Sequence, residues 1–215
     1  MLDIIYEDSD VLVVNKPAGL LTSTVPRERR PTLLAAVRQH LERRHKHARV
    51  GLIHRLDRDA SGLLVFSKNN AAYRSLKSQF FHHTVSRIYT AVVVGIPTPP
   101  EGKIQSRLVE RADGTVYSTR KPSGGEKAIT HYRLVEARPD KSAVVEVTLE
   151  TGRKHQVRVH LSDRGWPILG DPLYERPHPA GLHLAATRLA FDHPRTGKRL
   201  DFSILAKFYA APKFC

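Results

Sequence analysis

Short apolar runs separated by polar or glycine- and proline-rich connections recur along this chain, and they predict more strands than helices. Residues 4–5 and 11–14 form the first two runs, with the polar turn of residues 7–10 between them. Further runs rich in β-branched residues predict strands at residues 63–66, 87–95, 129–137 and 143–150. In the last run apolar and polar residues alternate, which is typical of a half-buried strand.

Three segments instead repeat their apolar residues at helical spacing. The first begins after Thr32, a predicted N-cap, and its apolar face consists of Leu33, Leu34, Val37 and Leu41. The second covers residues 71–81 with Asn70 as its cap, and the third covers residues 153–164 and is closed by Gly165. Helices and strands do not alternate regularly. The predicted fold class is therefore α+β, with a mixed, mostly antiparallel sheet flanked by helices and loops.

The remaining pattern concerns connections and domain count. Proline and glycine interrupt residues 97–102, and several breakers in residues 111–127 predict mobile loops. No repeat with a period of 20 to 50 residues is visible. The chain of 215 residues is long enough for one well-packed core or for two lobes, and we expect a single domain over residues 1–215.

The net charge of the chain indicates the kind of partner that it binds. The formal net charge is +14, which favours a polyanionic partner, with nucleic acid first and an anionic membrane surface second. No apolar run is long enough for a membrane-spanning helix, and the N-terminus lacks the layout of a secretion signal. The only cysteine is Cys215, so no internal disulfide can form. These features predict a cytoplasmic protein without a membrane partner.

Much of the positive charge is concentrated in residues 27–57. Nine basic residues stand there against three acidic ones, a net of 9 − 3 = +6: Arg27, Arg29, Arg30, Arg38, Arg43, Arg44, Lys46, Arg49 and Arg55 against Glu28, Glu42 and Asp57. A run of charges is usually a solvated face. This run directly precedes the most unusual acid of the chain, so it is the candidate surface for a polyanion.

That acid is Asp57, which lies between Arg55 and Arg58 and just ahead of an Ala-Ser-Gly turn and the apolar run 63–66. A carboxylate surrounded by cations stays ionised and can act as a nucleophile or a base. The charge pattern alone is more typical of a solvated loop with an ordinary ion pair.

A second unusual string covers residues 150–174. Arg153 is predicted near the first turn of a helix, where the helix dipole disfavours a cation, and residues placed against local preference often serve function. His155, Arg158 and His160 could add to a positive surface. The two histidines are five residues apart and no further metal motif accompanies them, so no metal site is predicted.

Both strings resemble the RluA-type pseudouridine synthases, which isomerise uridine to pseudouridine in RNA. The letters HRLD followed by Ser-Gly resemble the signature of this family, and ETGRKHQVRVHLSDRGWPILGDPLY matches a second family pattern almost throughout. Residues 15–19, 87–89, 182–185 and 191–194 resemble further family segments in the same order. The resemblance covers nearly the whole chain. It implies the pseudouridine synthase fold with a central basic active-site cleft, and an isomerase that needs no cofactor and no metal.

The resemblance also implies a role for individual residues. Asp57 is the catalytic acid, Arg153 pairs with it, Tyr89 packs on the target base, and Arg55 occupies the space that the flipped uridine leaves. By pattern alone Tyr89 is an ordinary core aromatic. Asp57 could attack C1′, add to C6 or remove the C2′ proton. The expected RNA contacts are Arg27, Arg29, Arg30, Arg43, Arg44, Lys46, His54, Arg58, Arg87, His155 and Arg158.

Two departures and two alternatives accompany this interpretation. Ala60 stands where the family usually has threonine, and we expect no S4 RNA-binding module, so target selection falls to the basic surface of the catalytic domain itself. A non-catalytic RNA-binding module would share the same charge. A nucleoside or glycoside hydrolase would need a second acid, for which Asp59 is the near candidate. The predicted substrate is ribosomal or transfer RNA, and the expected state is a monomer.

Overall fold

The computed structural model describes residues 2–24, 30–43, 49–121 and 123–209. It contains two compact units. Unit 1 comprises Met1–Ser86 and Ala186–Ile204, and unit 2 comprises Arg87–Ala185 and Leu205–Cys215. The single catalytic domain expected from the sequence stays a prediction.

The elements follow one another in an order dominated by strands. In chain order they are β1 (Asp3–Glu7), β2 (Val11–Lys16), α1 (Leu33–Glu42), β3 (Gly51–Leu52), β4 (Ser61–Ser67), α2 (Asn70–Phe81), β5 (Ser86–Val94), β6 (Glu101–Glu110), β7 (Val116–Thr119), β8 (Glu126–Ala137), β9 (Ser142–Leu149), α3 (Gln156–Asp163), β10 (Leu184–Asp192) and β11 (Arg199–Ser203), before a short 3₁₀ helix at Lys207–Tyr209. The mixed, mostly antiparallel fold class is confirmed.

The sheet of unit 1 has the order β1-β2-β4-β10, with β3 paired to β4 and β11 paired to β10. β2 and β4 are antiparallel, and their register places Lys16 opposite Gly62. Gly62 has φ +119°, and a Cβ there would lie 2.4 Å from the backbone nitrogen and oxygen of Ala186. Only glycine allows β4 to begin so close to β10. This close approach fixes the point at which the loop that carries Asp57 enters the sheet.

The helices of unit 1 are capped by side chains and cover its core. The Thr32 side chain accepts a hydrogen bond from the Ala35 amide, as predicted. For α2 the cap is Asn69, which accepts from Ala72, so the prediction of Asn70 was wrong by one residue. The core beneath consists of Val11, Val13, Ile53, Leu63, Val65, Leu76, Val85, Leu189 and Phe191. Burial of this cluster is the main force that holds the strands and α2 together.

Unit 2 has its own antiparallel strand order, β5-β9-β8-β6-β7. Its apolar cluster contains Leu108, Val116, Ala128 and Val159, against which Tyr174 packs. β6 and β7 were not predicted, and β7 lies within the segment expected to be mobile loop. The breakers of residues 111–127 form the turns on either side of β7, because glycines 114 and 125 have φ of +83° and +66°.

The third helix begins later than predicted. α3 starts at Gln156, and His155 before it has φ +53°, a left-handed conformation that ends any helix extending from Arg153. Its C-terminal end agrees with the prediction, since Gly165 follows with φ +80° and donates to the Ser162 carbonyl. Within the described ranges, no helix is both long and apolar enough to cross a membrane.

Candidate active site

Asp57 is half-buried in the irregular segment 53–60, between β3 and β4 of unit 1. The residue before it, Leu56, is fastened by two hydrogen bonds to the buried Thr22. The Thr22 hydroxyl donates to the Leu56 carbonyl over 2.8 Å and accepts from the Leu56 amide over 3.2 Å. The backbone next to the carboxylate is therefore held on one side by a residue far away in the chain.

The other side of Asp57 is held by Lys16, which has no exposed surface. Its Nζ donates to three carbonyl oxygens: Pro17 at 2.9 Å, Leu20 at 2.7 Å and Arg58 at 2.8 Å. All three ammonium donors are thus engaged. One of them fixes the carbonyl of Arg58, the residue that follows Asp57. Sequence reasoning gave Lys16 only as part of a segment that resembles the family, and it assigned no role to this side chain.

Burial lowers the pKa of Lys16 to about 8, and the negative charges of Asp59 and Asp57 oppose that shift. The ammonium therefore stays protonated at neutral pH. It ties the turn of residues 17–20 and the Asp57 loop into one substructure, with a positive charge near both carboxylates. This arrangement suits a reaction centre that has to keep its acid in a defined place.

The pKa of Lys16 predicts a distinctive pH dependence. Between pH 8 and about 10.5 the unfolded chain binds more protons than the folded one, so the free energy of unfolding should rise with pH by up to about 3 kcal/mol from this group. Lys16→Met removes the titration. Urea unfolding across this window should show the wild type gaining stability relative to the variant. A constant difference between the two proteins would contradict the assigned pKa.

The other predicted residues of this loop have separate environments. His54 stacks on Phe80 with ring centroids 4.7 Å apart, and its Nε2 accepts from the Val65 amide over 3.3 Å. Arg55 is exposed. Arg58 donates to both carboxylate oxygens of Asp59, over 2.8 and 3.0 Å. The candidate second acid of a hydrolase is therefore engaged by a neighbouring guanidinium.

In unit 2 the turn before α3 is shaped by the buried Gln156. Its Oε1 accepts from the Thr151 hydroxyl at 2.8 Å and from the Arg153 amide at 3.0 Å. Its Nε2 donates to Ile129 O and Thr130 Oγ1, both at 2.9 Å. The side-chain amide therefore ties the Thr-Gly-Arg turn to β8. This network places the backbone of Arg153 and leaves its side chain at the surface.

Two of the predicted arginines of unit 2, Arg87 and Arg153, lie at this turn. The Arg153 Nη1 lies 2.6 Å from Glu126 Oε1, and its Nε donates to the Lys127 carbonyl over 3.3 Å. Arg87 approaches Gly152 so closely that a Cβ there would lie 2.6 Å from its Nη1. The structure thus brings Arg87 and Arg153 to the same turn, and the absence of a side chain at Gly152 leaves room for the Arg87 guanidinium.

Tyr89 lies on β5, where it pairs with Val147 of β9. Its side chain is buried, with 7% of its surface exposed. The structure therefore agrees with the reading of Tyr89 as a strand aromatic that packs inside the unit. Stacking on a target base stays a prediction.

Arg158 was predicted to contact RNA, and the structure gives it an internal partner instead. Its Nε and Nη2 each donate to Asp171 over 2.7 Å, in a two-point pair whose side chains are 3% and 0% exposed. The prediction counted Arg158 toward a positive surface, but α3 is buried along most of its length. A guanidinium engaged in this way would have to abandon a buried carboxylate to reach a phosphate. We therefore leave Arg158 out of the proposed RNA contacts.

His160 does not contribute to a positive surface. His160 is fully buried, and burial lowers its pKa to about 4, so the ring is neutral at physiological pH. Its two nitrogens contact Thr130 Oγ1 at 2.8 Å and Ser106 Oγ at 2.9 Å. The expectation that His160 adds charge was wrong. His155 is half-buried, and its Nδ1 lies 2.9 Å from the Tyr174 hydroxyl.

The basic run that precedes the Asp57 loop is only partly within the described residues. Arg30 and Arg43 are exposed. Four predicted RNA contacts lie outside the described residues: Arg27, Arg29, Arg44 and Lys46.

A cluster of possible metal ligands in unit 1 consists of Asp8, Asp10 and His193. The His193 Nδ1 faces the amides of Arg195 and Thr196 at 3.2 Å and has to accept from them. Its Nε2 therefore carries the hydrogen and donates to Asp8 over 2.8 Å. Both ring nitrogens are used, and Asp10 is bound by Arg195 and Asn69. The cluster is a hydrogen-bond network that joins the β1–β2 turn to the segment after β10.

Known proteins resemble this chain in both sequence and structure. Residues 10–163 match the RNA pseudouridylate synthase family. The chain is 41% identical to the uncharacterized RNA pseudouridine synthase YlyB of Bacillus subtilis, over 94% of this chain and 68% of the relative. It is 39% identical to ribosomal large subunit pseudouridine synthase D of Neisseria meningitidis, over 94% of this chain and 57% of the relative. The structure of human RNA pseudouridylate synthase domain containing 4 matches with a TM-score of 0.79 and 26% identity, over 96% of this chain and 90% of that one.

These matches define a class of isomerases that act on RNA. The chain belongs to the RluA-type RNA pseudouridine synthase family. It spans between 57% and 68% of the length of the two bacterial relatives.

Proposed function

We propose that this protein isomerises specific uridines of RNA to pseudouridine in the cytoplasm, with Asp57 as the catalytic aspartate. The observation that carries the proposal is the fastening of the Asp57 loop. Thr22 holds Leu56, the residue before Asp57, and Lys16 holds the carbonyl of Arg58, the residue after it, in a chain of this family. A relative is named for the large ribosomal subunit, which supports ribosomal RNA as the first substrate to test, with transfer RNA as the second.

The reaction rearranges bonds without a net change in composition. The N1–C1′ bond of uridine breaks, a C5–C1′ bond forms, and the hydrogen at C5 leaves to solvent while N1 gains one. No oxidant, reductant or group donor is required. Asp57 acts on the sugar or on the ring, and attack at C1′, addition at C6 and removal of the C2′ proton all fit an ionised carboxylate. We assign to Arg153 the role of orienting Asp57, and to Tyr89 that of packing on the uracil.

Loss of the C5 hydrogen supplies the test of this function. RNA labelled with tritium at C5 of uridine should release tritium to water when the purified protein is added to ribosomal RNA fragments. Mapping of pseudouridine in total RNA from cells with and without the gene then identifies the site. RNA binding without any tritium release, on ribosomal and transfer RNA alike, would indicate a non-catalytic RNA-binding module instead.

Arg55 should matter in proportion to the structure of the RNA. The side chain is exposed at the loop that carries Asp57, and extruding a stacked base costs a few kcal/mol. Arg55→Ala should therefore slow tritium release from a structured hairpin more than from a short unstructured oligonucleotide of the same sequence. Arg74→Ala, an exposed arginine on α2, serves as the control. Equal losses on both RNAs would contradict a base-flipping role.

A further inference from the structure

Unit 2 contains a concave surface with a volume of about 710 Å³, which we call the basic groove. It lies between β6, β7, the start of β8 and the C-terminal end of α3. Its charged lining consists of Arg107, Arg120, Lys127, Arg164 and one acid, Asp163. Four cations against one carboxylate make it a site for an anion. Sequence reasoning assigned no role to any of these five residues.

Hydrogen bonds and a close backbone approach hold the wall of the groove in place. Arg107 donates from Nε to the Gly124 carbonyl over 2.6 Å and from Nη2 to the Gly125 carbonyl over 2.8 Å. Gly125 has φ +66°, and a Cβ there would lie 2.3 Å from the Leu108 carbonyl oxygen. The turn before β8 is thus pressed against β6 and fastened by Arg107. This arrangement holds one cation of the groove in a fixed position.

The carboxylates that flank the groove are engaged elsewhere. Glu126, next to Lys127, pairs with Arg153 at 2.6 Å. Glu110, at the end of β6, pairs with Lys154. Arg164 follows α3 directly, where the helix dipole favours a cation. Among the described residues that line the groove, Asp163 is therefore the only carboxylate that opposes its positive character.

The chemistry of the lining points to a sugar-phosphate chain. The lining has no aromatic side chain on which a base could stack, but it offers hydroxyls and an amide from Ser106, Ser118, Thr119 and Gln105. Cations with short polar donors suit phosphate and ribose oxygens, whereas base recognition in single strands uses aromatic platforms. The volume lies within the range of small-molecule pockets and fits a short stretch of chain, not a duplex.

The position of the groove connects it to Arg153, which belongs to the same unit. The Lys127 side chain lines the groove, and the Lys127 carbonyl accepts a hydrogen bond from Arg153 Nε. We propose that the basic groove binds the phosphates of single-stranded RNA that flanks the target uridine. This inference rests on the proposed function, since it places substrate RNA beside Arg153. It adds a substrate-binding surface outside the HRLD and Thr-Gly-Arg strings.

The test compares two triple variants that lose the same charge. The groove variant carries Arg120→Gln, Lys127→Gln and Arg164→Gln. The control variant carries Lys141→Gln, Arg176→Gln and Lys207→Gln, three exposed cations of unit 2 that do not line the groove. Arg107 is left intact because it fastens the turn. Thermal melting of both variants by circular dichroism verifies that each one is folded.

Binding of a fluorescent single-stranded oligouridylate is then followed by anisotropy as salt is raised. Each phosphate contact contributes about −0.7 to the slope of log affinity against log salt. The groove variant should have a slope shallower by up to about 2 and an affinity lower by up to about 100-fold at a tenth molar salt. The control variant should remain close to the wild type in both quantities.

Three outcomes would overturn the groove assignment. One is an unchanged slope in the groove variant, and another is an equal change in the control variant, which would reflect net charge alone. The third is an equal loss of affinity for labelled polyglutamate, which would make the groove a site for acidic peptides. A wild type that binds RNA but never releases tritium would overturn the proposed function alone, because the binding comparison does not depend on turnover.

Discussion

Asp57→Asn is expected to reduce tritium release from C5-labelled RNA by about a thousand-fold or more while RNA affinity stays within a few fold. The change is nearly isosteric, but an amide can act neither as an anionic nucleophile nor as a carboxylate base. Anisotropy of labelled RNA measures the affinity, and counting of released tritium measures the reaction. Release near the wild-type rate would show that the catalytic assignment is wrong.

Asp59→Asn is the matched control for this experiment. Asp59 is two residues away, and its carboxylate is engaged by Arg58 over 2.8 and 3.0 Å. The Asp59→Asn variant should retain most of the activity if Asp57 alone performs the chemistry. If both variants were equally inactive, a mechanism with two acids would gain support.

The activity of Arg153→Lys should fall between that of the wild type and that of Asp57→Asn, because lysine keeps the charge but lacks the planar two-point donor.

The second large effect is expected at the buried ion pair of α3. Arg158→Met leaves the fully buried Asp171 without its guanidinium, and the loss of one partner of a buried pair costs about 3–5 kcal/mol. For a protein of this size that corresponds to a fall of roughly 10 °C in the melting midpoint. Urea and thermal unfolding measure the loss. Arg133→Met, which removes an exposed pair with Glu146, should cost less than about 1 kcal/mol.

The same variant separates the structural role of Arg158 from the predicted RNA contact. At a temperature where Arg158→Met is folded, the salt dependence of its RNA affinity should equal that of the wild type. A slope shallower by about 0.7 would mean that Arg158 contacts a phosphate after all. A double variant, Arg158→Met with Asp171→Leu, should recover part of the lost stability, because no charge then remains buried alone.

An element end that depends only on neighbouring residues could be predicted from the sequence. Thr32 caps α1 because its hydroxyl needs only the amide of Ala35, three residues on. The start of α3 was misplaced because the left-handed conformation of His155 depends on Gln156 reaching across to β8. β6 and β7 were missed because their strand pairing comes from partners along the sheet, while their own sequence is rich in polar residues and breakers.

The residues of the candidate site also divide into those that the sequence predicts and those whose roles only the structure shows. Asp57, Arg55 and Arg153 follow from two strings that the sequence displays openly. The roles of Lys16 and Arg158 do not, because a lysine and an arginine are expected at the surface, and only tertiary structure shows their carbonyl and carboxylate partners. The basic groove was invisible for a similar reason. Its cations come from four separate segments, which no local window brings together.

The burial of Lys16 also makes it a reporter. Amine-reactive reagents modify the neutral form of lysine, and burial lowers the pKa of Lys16 to about 8, below that of an ordinary lysine. Its complete burial protects Lys16 from acylation while exposed lysines react. The rate of acylation at Lys16, measured by peptide mass spectrometry, would therefore report how often the segment around Asp57 opens. Protection of this one amine by bound RNA would measure how far substrate closes that segment.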